Sequence, residues 1–129
     1  MKSDLDTLMH ARNLDALLVL GNATHNPPMY YLTGGGHVTG AILLKKRGCE
    51  PLLYCNDMER EEAARSALQV IPFSTYNYDS LLKEARGDPS LAVALRFQHI
   101  FNDQGVHGRI GIYGITEVGS VFATFAHLK

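Results

Sequence analysis

Asp15-Ala16-Leu17-Leu18-Val19-Leu20-Gly21 places five apolar residues in a row between an acidic residue and a glycine. A run with no polar alternation suits a central strand covered on both faces, and it falls well short of the ~18 residues a membrane-spanning helix needs. Upstream, Leu5, Leu8 and Met9 share one face of a short helix that fades near Asn13, with Ser3 as its expected N-cap. Downstream, Gly40-Ala41-Ile42-Leu43-Leu44-Lys45 and Pro51-Leu52-Leu53-Tyr54-Cys55 flank Lys46-Arg47-Gly48-Cys49-Glu50. That composition predicts an antiparallel hairpin with glycine at the tight position.

Beyond the hairpin, Asn56 stands three residues before Glu59, a capping-box spacing that predicts a helix carrying Met58, Ala63, Ala64, Ala67 and Leu68, with Glu61 and Arg65 paired on its wet side. Val70-Ile71-Pro72-Phe73 is a short strand whose Pro72 has no amide donor, which puts it at a sheet edge or a strand end. Asp79 is the expected cap of a small helix through Ala85, and Gly87-Asp88-Pro89 supplies a stop, an N-cap and a proline for the first helical position. Leu91, Ala94, Leu95 and residues 97–101 continue the apolar pattern of a helix that ends over residues 102–105. Arg109-Ile110-Gly111-Ile112-Tyr113-Gly114 is a last strand, and Thr116 caps a helix whose Val118, Val121, Phe122 and Phe125 are still in register when Lys129 is reached, which reads as a truncation. With no repeat or linker in view, residues 1–129 form one α/β domain with a mixed sheet of about five strands flanked by helices.

Composition narrows the function. The 129 residues are 46% hydrophobic and 19% charged, and 12 Lys and Arg against 13 Asp and Glu leave a net charge of −1. A single core of this size needs no metal or disulfide staple, and a balanced, scattered charge offers no field to gather phosphates, so neither nucleic acid nor membrane is an expected partner. The N-terminus lacks the basic-then-apolar order of a secretory signal, which points to a cytoplasmic protein. Cys49 and Cys55 are six residues apart. In extended chain that is about 20 Å, too far for a disulfide, so both read as free thiols buried as fillers.

Chemistry is sparse. The histidines at 10, 25, 37, 99, 107 and 127 fall into no ligand spacing, and there is no H-E-x-x-H or C-x-x-C motif, so no metal and no catalytic residue is assigned to this chain. Asp57, Glu59, Glu61 and Glu62 suit the solvated first turn of a helix. There is no G-x-S-x-G elbow, and Gly34-Gly35-Gly36 lacks the Lys-Ser/Thr ending of a phosphate loop. His37 remains, a polar residue in a glycine-rich loop that can reach a ligand or a neighbouring subunit, although an idle surface histidine is the plainer reading. His25 is a weaker candidate, and one of Tyr30 and Tyr31 is expected to face the core.

The order of these pieces resembles the N-terminal domain of the creatinase, prolidase and aminopeptidase P family. The resemblance is carried by the early helix, Asp15-Ala16-Leu17-Leu18-Val19, Met29-Tyr30-Tyr31-Leu32-Thr33-Gly34, the hairpin, residues 59–64 and Arg109-Ile110-Gly111-Ile112. It covers nearly the whole chain, and the aromatic-Leu-Thr-Gly motif at Tyr31 is its most specific element. It implies a ribonuclease-H-like layer without nuclease function, joined in the parent to a C-terminal pita-bread domain. There two Asp, one His and two Glu would hold two divalent cations, manganese first among them, to activate water against a peptide carbonyl. None of those ligands can be placed on this sequence.

For this chain the resemblance implies a supporting part: contact with its own C-terminal catalytic domain, a homodimer in the parent, and a loop sent toward the cleft that restricts the peptide substrate. The loop is residues 34–39, with His37 nearest substrate and Tyr31, Thr33 and Gly34 shaping it. The loop at residues 22–28 is longer than the pattern, and residues 76–89 do not align firmly. Two alternatives stand beside this reading, a peptidase-like protein-binding module without hydrolysis and the N-terminal domain of a creatinase-like amidinohydrolase.

Overall fold

The computed structural model describes residues 2–21, 28, 41–66, 68–114 and 124–128. Ala16–Gly21 (β1) lies inside a five-stranded sheet with Ala41–Lys46 (β2), Leu52–Cys55 (β3), Gln69–Pro72 (β4) and Ile110–Gly114 (β5), in the spatial order β4-β3-β2-β1-β5. The sheet is mixed. β2 runs antiparallel to β1 and to β3, whereas β5 runs parallel to β1 and β4 parallel to β3. Pro72 closes an edge strand, where a missing N–H leaves no interior ladder broken.

Helices cover both faces: Lys2–Ala11 (α1), Arg60–Ala64 (α2), Tyr78–Glu84 (α3) and Pro89–Gln104 (α4). Because side chains alternate along a strand, β1 serves two cores at once. Val19, Leu43, Leu53 and Cys55 pack with Ala63 of α2 and Leu5 of α1, and Leu17 packs with Met9 and Leu14. On the opposite face Leu18, Leu20, Ile42, Leu44 and Tyr54 meet Phe97 and Ile100 of α4. This two-sided burial is why the run at 16–20 carries no polar residue. Leu18 lies opposite Leu44 on one side and Ile112 on the other and is fully buried. Leu18→Ala is therefore expected to cost about 3 kcal/mol, read from chemical denaturation.

Element ends depart from expectation in instructive ways. α1 begins at Lys2, so Ser3 lies inside the helix and does not cap it. The Asn56 side chain makes no capping bond; a 3₁₀ turn at Asp57–Glu59 precedes α2. α2 stops at Ala64 instead of reaching Leu68, because the Ser66 hydroxyl donates to the Ala63 carbonyl and accepts from the Leu68 amide, drawing the backbone out of the helix. The tightened turn brings Arg65 to Glu62 at 3.3 Å, where Glu61 was the expected partner. Asn77, not Asp79, caps α3, accepting from the Ser80 amide at 3.2 Å. Asp88 does cap α4, accepting from the Ser90 and Leu91 amides at 3.0 and 3.3 Å with Pro89 in the first turn, and Gly105 ends that helix at φ 64°. Cys49 is an exposed residue of the hairpin turn, so of the two free thiols only Cys55 is a buried filler. Thr116 and residues 118–122 of the expected last helix lie outside the described residues. Residues 124–126 are helical, and Phe125 rests against Phe97 with ring centroids 5.5 Å apart.

Candidate functional site

Tyr31, Thr33, Gly34 and His37 all lie outside the described residues, as do His25, Tyr30 and the triglycine. Among the described residues no three His, Cys, Asp or Glu side chains converge as a metal site, and no helix is long and apolar enough to cross a membrane. Cys55 sits in the core, where burial pushes its thiol up and leaves little thiolate for nucleophilic work.

Among the described residues, exposed apolar side chains follow the β5 edge. Ile112 and Tyr113 point to opposite faces of that strand and are 47% and 38% exposed, although both are large. Tyr113 borders a cavity of about 260 Å³ bounded by Leu5, Leu8 and Met9 of α1, by Arg12 and by Pro28. Leu5 and Leu8 share one stripe of α1, and Arg12 in the turn that follows continues it along this hollow. Leu8 is 57% exposed on its rim, and Arg12 Nη1 donates to the Tyr113 hydroxyl at 3.4 Å. On the other face Ile112 borders a second hollow with Leu18, Phe101, Val106 and Phe125. Apolar side chains on both faces of one edge strand suit contact with another protein surface.

Two cations lie elsewhere, one buried and one half-buried. Lys45, on the α1 face of β2, is 1% exposed and uses all three of its donors: Asp6 Oδ1 at 2.6 Å, the Lys46 carbonyl at 2.8 Å and the Cys49 carbonyl at 2.6 Å. Asp6 also accepts from the Gly48 amide at 2.9 Å; the Lys45 hydrogen bond, followed by that of Gly48, holds its carboxyl below the usual range. These bonds pin α1 to the hairpin. Nearby, Asp15 accepts from the Arg109 amide at 2.8 Å and faces Arg47 at 3.6 Å, and Gly108 packs against it at φ 97°, a backbone conformation that favours glycine.

Arg96 of α4 is the second cation. Its guanidinium lies 4.4 Å above the centre of the Phe73 ring, and its Nε is buried with no hydrogen-bond partner. Burial lowers its pKa, yet a guanidinium stays charged. Beside it, the Tyr76 hydroxyl donates to Asp103 at 2.6 Å, and burial together with that bond pushes the phenol up. Neither cation was singled out from the sequence. Lys45 reads as the polar end of a strand. Arg96 carried a usable signal, since it stands four residues from both Ala92 and Ile100, each fully buried, and so shares their inward stripe.

A family model described as Creatinase/Prolidase N-terminal domain matches residues 2–112. Among solved structures, the N-terminal domain of Xaa-Pro dipeptidase from Lactobacillus brevis is similar at a TM-score of 0.64 and 14% identity, over 97% of this chain and 85% of that one. The prolidase from Pyrococcus horikoshii OT3 is similar at a TM-score of 0.56 and 18% identity, over 98% of this chain. This chain spans only 29% of the length of that prolidase. No curated protein matches.

Proposed function

The chain belongs to the creatinase/prolidase N-terminal domain family, and from that premise we propose that it is the non-catalytic N-terminal domain of a proline-directed metallopeptidase, an Xaa-Pro aminopeptidase or a prolidase. The observation that carries this reading is the family match along residues 2–112. In the parent the domain supports dimerisation and restricts access to the active site. Two divalent cations, manganese first among them, belong to the C-terminal catalytic domain, and the substrate is a short peptide with proline in second place.

Exposed Leu8, Ile112 and Tyr113 and the hollow beside α1 support a docking role for the β5 edge. Residues 34–39, with His37, are the segment proposed to approach the peptide.

The test is hydrolysis of an Xaa-Pro dipeptide and an Xaa-Pro-Yaa tripeptide by the full parent protein with Mn²⁺. Metal-dependent release of the first residue is expected, with tripeptide preference marking an aminopeptidase and dipeptide preference a prolidase. His37→Ala should raise KM more than it lowers kcat. A parent with no turnover on either peptide overturns the peptidase reading in favour of a binding module or an amidinohydrolase.

A further inference from the structure

A recess of about 630 Å³ opens where the Asp57–Glu59 turn, the Phe73–Thr75 turn, α3 and α4 meet, and the Arg96 side chain forms part of its wall together with Phe73. The contact with the Phe73 ring is an electrostatic one that satisfies none of the guanidinium N–H groups with a conventional acceptor. Among the described residues none accepts a hydrogen bond from Arg96 and no carboxylate pairs with it. Nε is closed off from solvent, which leaves the terminal nitrogens as the donors that a ligand in the recess can reach.

A charged fork held in place by an aromatic ring and lacking any acceptor is matched to a planar anion that accepts two parallel bonds. We propose that this recess is a carboxylate-binding site, with the Arg96 fork as its anchor above Phe73. The sign and size of the anion follow from the remaining wall. Asp57 and Asp79 also border the recess, and their negative charge opposes a dianionic phosphate more strongly than a monoanionic carboxylate. Met58, 97% exposed, and Tyr78, 42% exposed, also line the recess, so the carbon portion of an organic acid has some apolar surface to rest on. The proposal is independent of any peptidase activity in the parent.

The test is NMR titration of the 129-residue chain with acetate and, separately, with inorganic phosphate at constant ionic strength, following the Arg96 guanidinium and the Phe73 ring. Saturable shifts confined to the recess are expected with acetate, with phosphate binding more weakly. Arg96→Met should abolish them, and Arg96→Lys, which keeps the charge without the fork, should weaken them while leaving the melting temperature close to wild type. Acetyl-glycyl-glycine and its amide identify the source: tighter binding of the peptide acid than of acetate assigns a peptide C-terminus, and equal binding assigns a small organic acid. Non-saturable shifts, shifts that persist in Arg96→Met, peptide amide binding as tightly as the acid, or phosphate binding as tightly as acetate would each overturn the proposal.

Discussion

Lys45 and Arg96 are both cations drawn into the body of one small domain, and they are treated in opposite ways. Lys45 is almost wholly buried and surrounded by acceptors, Asp6 and two backbone carbonyls, while Arg96 lies on an aromatic ring with its Nε buried and bonded to nothing. A charge moved out of water costs several kcal/mol unless partners replace the solvent. At Lys45 the replacement is complete, and the residue acts as a rivet between α1 and the hairpin. At Arg96 it is incomplete, which is the usual mark of a group placed for something other than stability.

Of the two cation sites, the larger expected effect lies at the rivet. Asp6→Ala leaves the Lys45 ammonium without its carboxylate and should cost about 2 kcal/mol in urea unfolding, less than the full cost of breaking a buried pair. The reduction follows because Asp6 is 35% exposed and two carbonyls still hold the lysine.

The same pair sets a pH dependence. The folded carboxyl is held below its unfolded value, so its contribution is fully present above the unfolded pKa of about 3.9 and disappears as pH falls through the lower folded value. The stability gap between wild type and Asp6→Asn should therefore be flat from neutral pH down to about pH 5 and close below about pH 4. A gap that widened in acid would contradict the pairing.

Arg96→Met provides the contrast. It removes a half-buried charge whose Nε has no hydrogen-bond partner and one cation–π contact, terms of opposite sign, so stability should change by no more than about 1 kcal/mol. A loss as large as that of Asp6→Ala would make Arg96 a second rivet and erase the difference between the two sites. The smallest effect is linkage. Acetate near its dissociation constant should stabilise the wild type by about 0.4 kcal/mol, visible as a small rise in melting temperature, and should do nothing for Arg96→Met.

Much of the scaffold is legible in local sequence because its signals are steric or concern the backbone. An unbroken apolar run needs cover on two faces, Asp88-Pro89 can start a helix, Gly105 can end one in left-handed backbone, and Pro72 cannot serve an interior strand. Reading failed where two polar side chains competed within one turn. Asn77 and Asp79 both suit a cap, and which amide lies within reach depends on how the 3₁₀ turn at Phe73–Thr75 delivers the chain. Ser66 likewise looks like a neutral helix residue until its hydroxyl is found bonded at both ends of the Ala63–Leu68 turn. The Lys45–Asp6 contact joins residues 39 apart, and no local pattern encodes it. The loop with His37 was legible only through family resemblance, and it lies outside the described residues.

The function proposed above is a division of labour, in which this domain would pack and position while hydrolysis would belong to a separate catalytic domain. Its most direct test is to incubate the 129-residue chain alone with Mn²⁺ and an Xaa-Pro dipeptide, beside the full parent protein under the same conditions. Turnover by the parent and none by the chain is the predicted result; metal-dependent cleavage by the chain itself, abolished by chelation and retained through purification, would contradict it.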